Sequence, residues 1–220
     1  MTTFTRIDPA AVVRLARTDL PRPLDVLNLI ELRDERSYAR YGVAVTPAML
    51  AVGARLRWMG RRVRTLAGEA PAERLLVVRY PTHRRFLAMT LNPYYVLINR
   101  FRERGVRRFE AAFTFAEREE LPLGSQRWLL VAQWDGGATL EALRELIEPQ
   151  AGPLVYASRM VASASYLRGS RPTDPNPLRL PTMACFAVGE GVDVDLGGVD
   201  GLSAGLYRRT SPRTLLESAR

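Results

Sequence analysis

The stretches L-D-V-L-N-L-I-E-L (Leu24–Leu32) and R-L-L-V-V-R-Y (Arg74–Tyr80) decide the fold of this chain. Both are apolar on their two faces, which is typical of strands in a sheet that is covered on both sides. Two further strands are predicted. One is Leu56–Leu66, where Gly60 is expected to form a bulge, and the other is Phe109–Ala116, where the residues alternate.

Two helical segments separate these strands. The first is predicted to begin at a cap, either Asp34 or Ser37. Its core-facing stripe, with apolar residues three or four apart, consists of Tyr38, Tyr41, Val45, Met49 and Val52. The second begins after the cap Thr82, breaks at the Asn-Pro pair at 92–93 and resumes through Arg102. The element order is therefore βαββαβ, which is ferredoxin-like.

The same order is predicted again after a polar linker at residues 119–126. The strands expected in this second half are Trp128–Trp134, Pro153–Leu167, Met183–Val188 and Ser203–Arg209. Thr139 caps one helix, and residues 192–201 are too rich in glycine for a second. We therefore expect an α+β fold with an N-terminal helix in residues 1–20 and two ferredoxin-like halves, residues 21–118 and 127–220. We expect the halves to pair as an intrachain, pseudo-dimeric α+β barrel.

Composition limits the cellular setting and the partners. The chain carries a net charge of +9, and all of its basic residues are arginines. This bias indicates a GC-rich genome rather than a surface selected for nucleic acid, although arginine also binds small anions well. The single cysteine, Cys185, excludes an intrachain disulfide and favours a reducing cytoplasm. Because no apolar stretch approaches ~20 residues, no membrane span is expected.

Metal and haem sites are not predicted. The only histidine, His83, follows the cap Thr82 and is expected to face solvent; haem ligation by it is the one cofactor alternative. Cys185 lies in an apolar run and is expected to be an inert packed thiol. The aspartates within residues 193–200 lack the spacing of a calcium loop. We therefore expect no cofactor.

Five motifs in the first half resemble the domain-of-unknown-function family 1330 over roughly residues 20–116. They are V-L-N-L-I-E-L-R-D (26–34), Y-A-R-Y-G-V-A-V-T-P (38–47), V-G-A-R-L-R-W-M-G (52–60), R-Y-P-T-H-R-R-F-L-A-M (79–89) and N-P-Y-Y (92–95). The resemblance implies a dimeric α+β barrel with a pocket, but no particular reaction. A His-Arg pair that follows the last helix in that family corresponds here to Phe101-Arg102, so only the arginine carries over.

Polar residues among apolar strand neighbours are the candidates for a ligand site. A buried Asn28 needs hydrogen-bond partners, which a ligand or the neighbouring backbone could provide equally well. Arg102 keeps the family position, and Tyr41 belongs to the helical stripe. The predicted catalytic residues are Asn28, Arg102 and Tyr41. The predicted substrate-binding residues are Trp58, Arg57, Arg79, Gln133, Trp134 and Arg159, with Tyr38, Tyr156 and Tyr166 as weaker candidates. Strand alternation allows only one of Trp58 and Arg57 to face the cavity.

Three functions follow as hypotheses. The first is an enzyme of specialised metabolism that acts on an organic, anionic or polyketide-like, metabolite without a metal, as a cyclase, isomerase, lyase or cofactor-free oxygenase. The second is a ligand-binding or assembly protein, either a monomer with an internal pseudo-dimer or a homodimer. RNA binding ranks third, because the third strand is mainly aliphatic and lacks the basic-glycine start and stacked aromatic motif of RNA-recognition modules.

Overall fold

The computed structural model describes residues 8–20, 22–69, 72–134, 139–163, 182–196 and 199–211. Helix α1 (Pro9–Arg17) begins at the cap Asp8. The first half then contains β1 (Leu24–Leu32), α2 (Glu35–Ala51), β2 (Arg55–Ala67), β3 (Arg74–Tyr80), α3 (His83–Thr90), α4 (Pro93–Gly105) and β4 (Val106–Glu119). After a short 3-10 turn, the second half contains β5 (Trp128–Trp134), α5 (Leu140–Ile147), β6 (Leu154–Ser163), β7 (Thr182–Ala187) and β8 (Leu202–Arg209).

The eight strands close into one barrel in the order β1-β3-β2-β8-β5-β7-β6-β4. Every neighbouring pair is antiparallel, so β1, β2, β5 and β6 run in one direction along the barrel and the other four run in the opposite direction. Each half contributes a four-stranded ferredoxin-like sheet. The halves join where β2 pairs with β8 and where β4 pairs with β6. The expected intrachain pseudo-dimeric barrel is therefore confirmed.

The strand registers define which positions of the two halves are equivalent. Asp25 pairs with Arg79 and Thr114, and in the same way Leu129 pairs with Ala187 and Tyr207. A second match is independent of the first. Trp58 pairs with Val77 directly after a bulge in β2, and Tyr156 pairs with Cys185 directly after a bulge in β6. The further equivalences used below are Asn28 with Ala132, Leu29 with Gln133, Gly60 with Ser158, and Leu76 with Ala184.

Apolar side chains fill three spaces. Even-numbered residues of β1, such as Val26 and Ile30, pack under the helices of the first half. Odd-numbered ones, such as Leu27 and Leu29, fill the barrel interior together with residues of all four strands of the second half. The outer face of the second half packs on α5 and on residues 192–196. This alternation decides which predicted site residues face the helices and which face the barrel interior.

Two local predictions about β2 are wrong. Gly60 is not the bulge; the register shifts instead between Leu56 and Trp58, so Arg57 is the extra residue. Gly60 serves another purpose, because a Cβ atom there would lie 2.0 Å from Cη2 of the Trp58 ring. The bulge also breaks the strict alternation of the strand, so the expectation that Arg57 and Trp58 must face opposite sides fails.

Two other predictions change. His83 is fully buried rather than facing solvent. It begins α3, which packs against α1, and Arg84 Nε donates to Ala16 O at 3.0 Å across that contact. Strand β6 is described as far as Ser163; the rest of the predicted strand up to Leu167, Tyr166 and the proline-rich loop lie outside the described residues.

Candidate functional site

The helices leave the first sheet partly uncovered above its central strand. This half-buried patch at Asn28 and Leu76 is called the opening. β1 lies between β3 and β4, so its residues are exposed only where the helix layer above leaves a gap. Val26 and Ile30 are buried under the helices, but Asn28 between them is half-buried, and so is its β3 neighbour Leu76. Asn28 Nδ2 donates to Val26 O at 3.2 Å, the one hydrogen bond of this side chain within the described residues. Its carbonyl oxygen is left to a ligand or to water.

A cage of aromatic rings encloses the Arg102 guanidinium in the same layer. Its Cζ lies 4.4 Å from the centre of the Phe109 ring, 5.6 Å from that of Tyr41 and 5.9 Å from that of Tyr95. These distances fall within the range of cation–π attraction. Phe109 pairs with Ile30, two residues along β1 from Asn28, so Phe109 and Asn28 are diagonal neighbours ~7–8 Å apart. The cage therefore borders the opening.

Hydrogen bonds connect the cage residues in one chain. Arg102 Nη1 donates to Tyr95 Oη at 3.1 Å, and the Tyr95 and Tyr41 hydroxyls are 3.2 Å apart. Burial raises the pKa of Tyr41 well above its ordinary value, and the nearby Tyr95 raises it further. Burial likewise raises the pKa of Tyr38. Both phenols therefore keep their protons at neutral pH and can donate hydrogen bonds.

Helix caps and one close backbone contact fix these side chains. Asp34 accepts from Arg36 N and Ser37 N and starts α2, which carries Tyr38 and Tyr41. Asn92 accepts from Tyr94 N at 2.8 Å and starts α4, where Tyr95 and Arg102 lie two turns apart on one face. The end of α4 meets the start of α2 so closely that a Cβ at Gly105 would lie 2.5 Å from Tyr38 N.

The equivalent face of the second half is closed. Ala132 occupies the position of Asn28 and Ala184 that of Leu76, and both have 0% exposure. Trp134, a predicted substrate-binding residue, faces this outer layer at the position of Ile30 and packs with Leu143 and Ile147 of α5. Trp134 therefore does not face the barrel interior, because it lies on the other face of β5 from Val131 and Gln133.

The predicted residues Arg57 and Arg79 belong to a polar network at one end of the barrel. Arg79 Nε and Nη2 bind the two carboxylate oxygens of Asp25 at 2.8 Å each. Glu119 bridges Arg79, at 3.5 Å, and Arg57. The hydrogen bonds to Asp25 raise the pKa of Arg79, so this guanidinium is held as a cation by the protein itself.

Tyr156 connects the network to the second half. Its hydroxyl donates to Asp25 Oδ2 at 2.9 Å, and Thr114 Oγ1 donates to Asp25 O at 3.0 Å. Burial raises the pKa of Tyr156, as does the nearby carboxylate of Asp25, while the Ser158 hydroxyl acts in the opposite direction. Trp58, the residue equivalent to Tyr156, packs in the barrel interior, and its Nε1 donates to Gln126 O at 3.1 Å.

The remaining predicted residues lie apart from both groups. Gln133 faces the barrel interior and is buried. Arg159 is largely exposed and pairs with Glu117 at 2.9 Å. The structure thus brings Tyr41 and Arg102 into contact, and it places Asn28 on the same face of the sheet, diagonal to Phe109. It groups Arg57 and Arg79 elsewhere, and it leaves Arg159 on the surface.

Several residues of these groups escaped the sequence analysis. Tyr95 carried a signal, since it precedes Arg102 by seven residues on a predicted helix. Asp25 also carried one, as an acidic residue within an apolar strand. Glu119 and Phe109 gave no local signal, because their partners are set by strand register and helix packing.

No group of three or more His, Cys, Asp or Glu side chains that could hold a metal ion occurs in the described ranges. No helix in this part of the chain is long and apolar enough to cross a bilayer. Cys185 is buried in the barrel, and burial raises the pKa of its thiol.

Part of the first half matches the model of a known protein family. Residues 26–111 match the family model described as Domain of unknown function (DUF1330). The resemblance expected from the sequence is therefore confirmed, and the DUF1330 segment contains Asn28, Tyr41, Tyr95, Arg102 and Phe109. The search of curated proteins finds no match.

Three solved structures are similar to part or most of the chain. A protein of unknown function from Rhodopseudomonas palustris is 23% identical, covers 49% of this chain and 93% of its own, and has a TM-score of 0.44. An anthrone oxidase-like protein is 10% identical, covers 87% of this chain and 92% of its own, and has a TM-score of 0.46. A dye-decolorizing peroxidase from Bacteroides thetaiotaomicron is 10% identical, with coverages of 93% and 98% and a TM-score of 0.44.

Proposed function

We propose that the first half binds one small organic molecule between its sheet and helices α2 and α4, and converts it without a tightly held cofactor. The observation that carries this proposal is the half-exposed Asn28 on the central strand, whereas Ala132 at the equivalent position is fully buried. An amide at the floor of an otherwise apolar opening provides orientation and specificity, as in most small-molecule sites.

The hydrogen bonds that link Arg102, Tyr95 and Tyr41 would place a polarised hydrogen-bond donor at the opening. Tyr95 Oη accepts from Arg102 and lies 3.2 Å from Tyr41 Oη, with either hydroxyl able to donate to the other. In the arrangement where Tyr95 donates to Tyr41, the Tyr41 proton is free to point at the ligand. Each donation polarises the next. An enolate or phenolate oxygen, formed when a carbonyl compound or a phenol on the ligand releases its proton to solvent, would be stabilised there, while Tyr41 keeps its proton. Asn28 Oδ1 would accept from a hydroxyl or amine on the same ligand.

This arrangement suits reactions that pass through an oxyanion, such as isomerisation, cyclisation or bond cleavage beside a carbonyl. The substrate class is therefore an organic carbonyl compound or phenol, with an anionic group tolerated beside Arg102. The rings of Phe109 and the exposed part of Leu76 would contact its carbon skeleton.

Binding without conversion is the second candidate function. The observation in its favour is that Tyr41 and Tyr38 both have raised pKa values, so neither phenol can remove a proton from a ligand at neutral pH. On this alternative the site holds the molecule and delivers it unchanged.

Two fluorescent probes test the site: 8-anilinonaphthalene-1-sulfonate, which is anionic, and the uncharged N-phenyl-1-naphthylamine. Arg102→Met should weaken binding of the anionic probe at least about tenfold, equivalent to ~1.4 kcal/mol, and change the uncharged probe little. Arg100→Met removes an exposed arginine from the same helix and should leave both affinities unchanged. Equal effects of the two variants on both probes would contradict the site.

A panel of aryl ketones, β-keto acids and phenols, analysed by mass spectrometry, tests conversion. Tyr41→Phe should lower turnover about 100-fold, in line with the loss of one oxyanion donor, and should keep probe binding. If every bound compound is recovered unchanged with the wild type, the binding function replaces the enzymatic one.

A further inference from the structure

A second site lies inside the barrel, away from the opening above Asn28. Gln133 is 3% exposed, and its Oε1 is buried with no hydrogen-bond partner among the described residues. Ser158 has 0% exposure. Its Oγ is close enough to the Tyr156 hydroxyl to lower the pKa of that phenol, but it makes no hydrogen bond of normal geometry among the described residues. A buried carbonyl or hydroxyl without a partner destabilises the folded state, so two such groups require an explanation.

Both side chains face the same interior space. Gln133 and Ser158 each pair with Met183, on opposite sides of β7. Met183 belongs to the barrel-interior cluster, and residues directly opposite in a sheet project to the same face. The two Cα positions are separated by two strand spacings, ~10 Å. The long Gln133 side chain and one small molecule can close that distance.

The neighbours leave this pair unsatisfied. On the other side of Gln133, its β8 partner Ser203 already donates to Glu69 O at 2.6 Å. Tyr156, two residues before Ser158, gives its proton to Asp25, so its hydroxyl can only accept from Ser158 and offers Ser158 Oγ no donor. Met183 between them offers only a weak thioether acceptor. The first half has no such need, because Leu29 and Gly60 occupy the equivalent positions.

The geometry points to a buried site for one small, neutral hydrogen-bond donor between Gln133 and Ser158, a water molecule in the smallest case. The bound molecule would donate to Gln133 Oε1 and exchange a hydrogen bond with Ser158 Oγ. A polar, enclosed space with two or more polar partners is what a buried water requires. This site does not depend on the function proposed for the first half. Gln133 and Ser158 face the barrel interior, whereas Asn28 faces the helices outside the barrel.

A high-resolution crystal structure of the wild type tests this site, together with the variant Gln133→Leu/Ser158→Gly, which installs the residues of the first half. We expect one density peak within hydrogen-bond distance of both Gln133 Oε1 and Ser158 Oγ, and its loss in the variant. A spherical peak identifies water, and elongated density identifies an organic molecule. An empty space, or a Gln133 side chain turned onto a protein donor, overturns the inference.

Thermal unfolding of Gln133→Leu gives an independent readout. If the site is occupied, Gln133 is satisfied, and the substitution should leave the midpoint unchanged or lower it. If the site is empty, the substitution removes an unpaired buried carbonyl and should raise the midpoint. A raised midpoint therefore contradicts the site even where crystals are not obtained.

Discussion

The two halves of the barrel share a strand plan but differ at a few equivalent positions. Facing the helices, Asn28 of the first half lies in an opening, whereas Ala132 of the second half is sealed. Inside the barrel, the ion-paired Asp25 corresponds to the apolar Leu129. Backbone hydrogen bonds and the apolar periodicity of the strands determine how the strands pair, and both halves have these features. The proposed chemistry would depend on single polar residues, and most of these lie in the first half.

The largest expected effect comes from breaking the Asp25–Arg79 pair. Arg79→Ala leaves a carboxylate that is 1% exposed without its cation, and we expect a loss of ~3 kcal/mol in the free energy of unfolding. Asp25→Leu/Arg79→Ala copies the second half, where Leu129 and Ala187 are equivalent, and should lose clearly less. Urea denaturation measures both variants. A double variant as unstable as the single one would show that the pair is not the cause.

The Gly60–Trp58 contact should give the next largest effect. Gly60→Ser places a side chain where it clashes with the Trp58 ring. The substitution should lower the free energy of unfolding by ~1–3 kcal/mol. Adding Trp58→Tyr copies the Tyr156/Ser158 pair of the second half and removes the clash. In a double-mutant cycle, the pair should therefore cost less than the sum of the two single substitutions. Strict additivity would contradict the equivalence of these positions.

Asn28 and Ala132 occupy equivalent positions, and replacing each by the other's residue should change the free energy of unfolding by unequal amounts. Ala132→Asn buries an amide on a closed face and should cost ~1–3 kcal/mol. Asn28→Ala removes a half-buried amide and should cost less than ~1 kcal/mol, while binding of the anionic probe weakens. Equal losses of stability in the two variants would mean that the first half is not open.

The smallest expected effect is a pH dependence from His83 in the α1–α3 contact. Burial lowers the pKa of His83 below its ordinary value of about 6.5. The unfolded chain therefore takes up the proton first. The contribution of His83 to stability is present above about pH 6.5 and is lost as the pH falls below it. The slope should stay below ~1.4 kcal/mol per pH unit between pH 5 and 7, and should vanish in His83→Leu. An unchanged slope in that variant assigns the effect elsewhere.

Most elements could be predicted from the sequence because they follow local patterns. Leu24–Leu32, Arg74–Tyr80 and Trp128–Trp134 have the predicted bounds, and the caps Asp34, Thr82 and Thr139 hold the predicted helices. Apolar periodicity and capping residues act over a few neighbouring positions, so they can be recognised in the sequence without knowledge of the fold.

The errors concern features that depend on distant residues. The bulge at Arg57 and the role of Gly60 depend on how β2 meets β3 and on where the Trp58 ring lies. The burial of His83 depends on α1. For the site, Tyr41 and Arg102 could be predicted to share a layer, but Tyr95 and Phe109 complete the cage through helix packing and register.

The central claim is that the first half binds the anionic probe at a single site, beneath α2 and α4. Native mass spectrometry of the wild type with 8-anilinonaphthalene-1-sulfonate, beside Asn28→Phe, tests it most directly, because a phenyl ring at position 28 fills the opening without altering the barrel interior. The account predicts one probe molecule per chain in the wild type and none in the variant. Two molecules per wild-type chain, or one retained in Asn28→Phe, would contradict it.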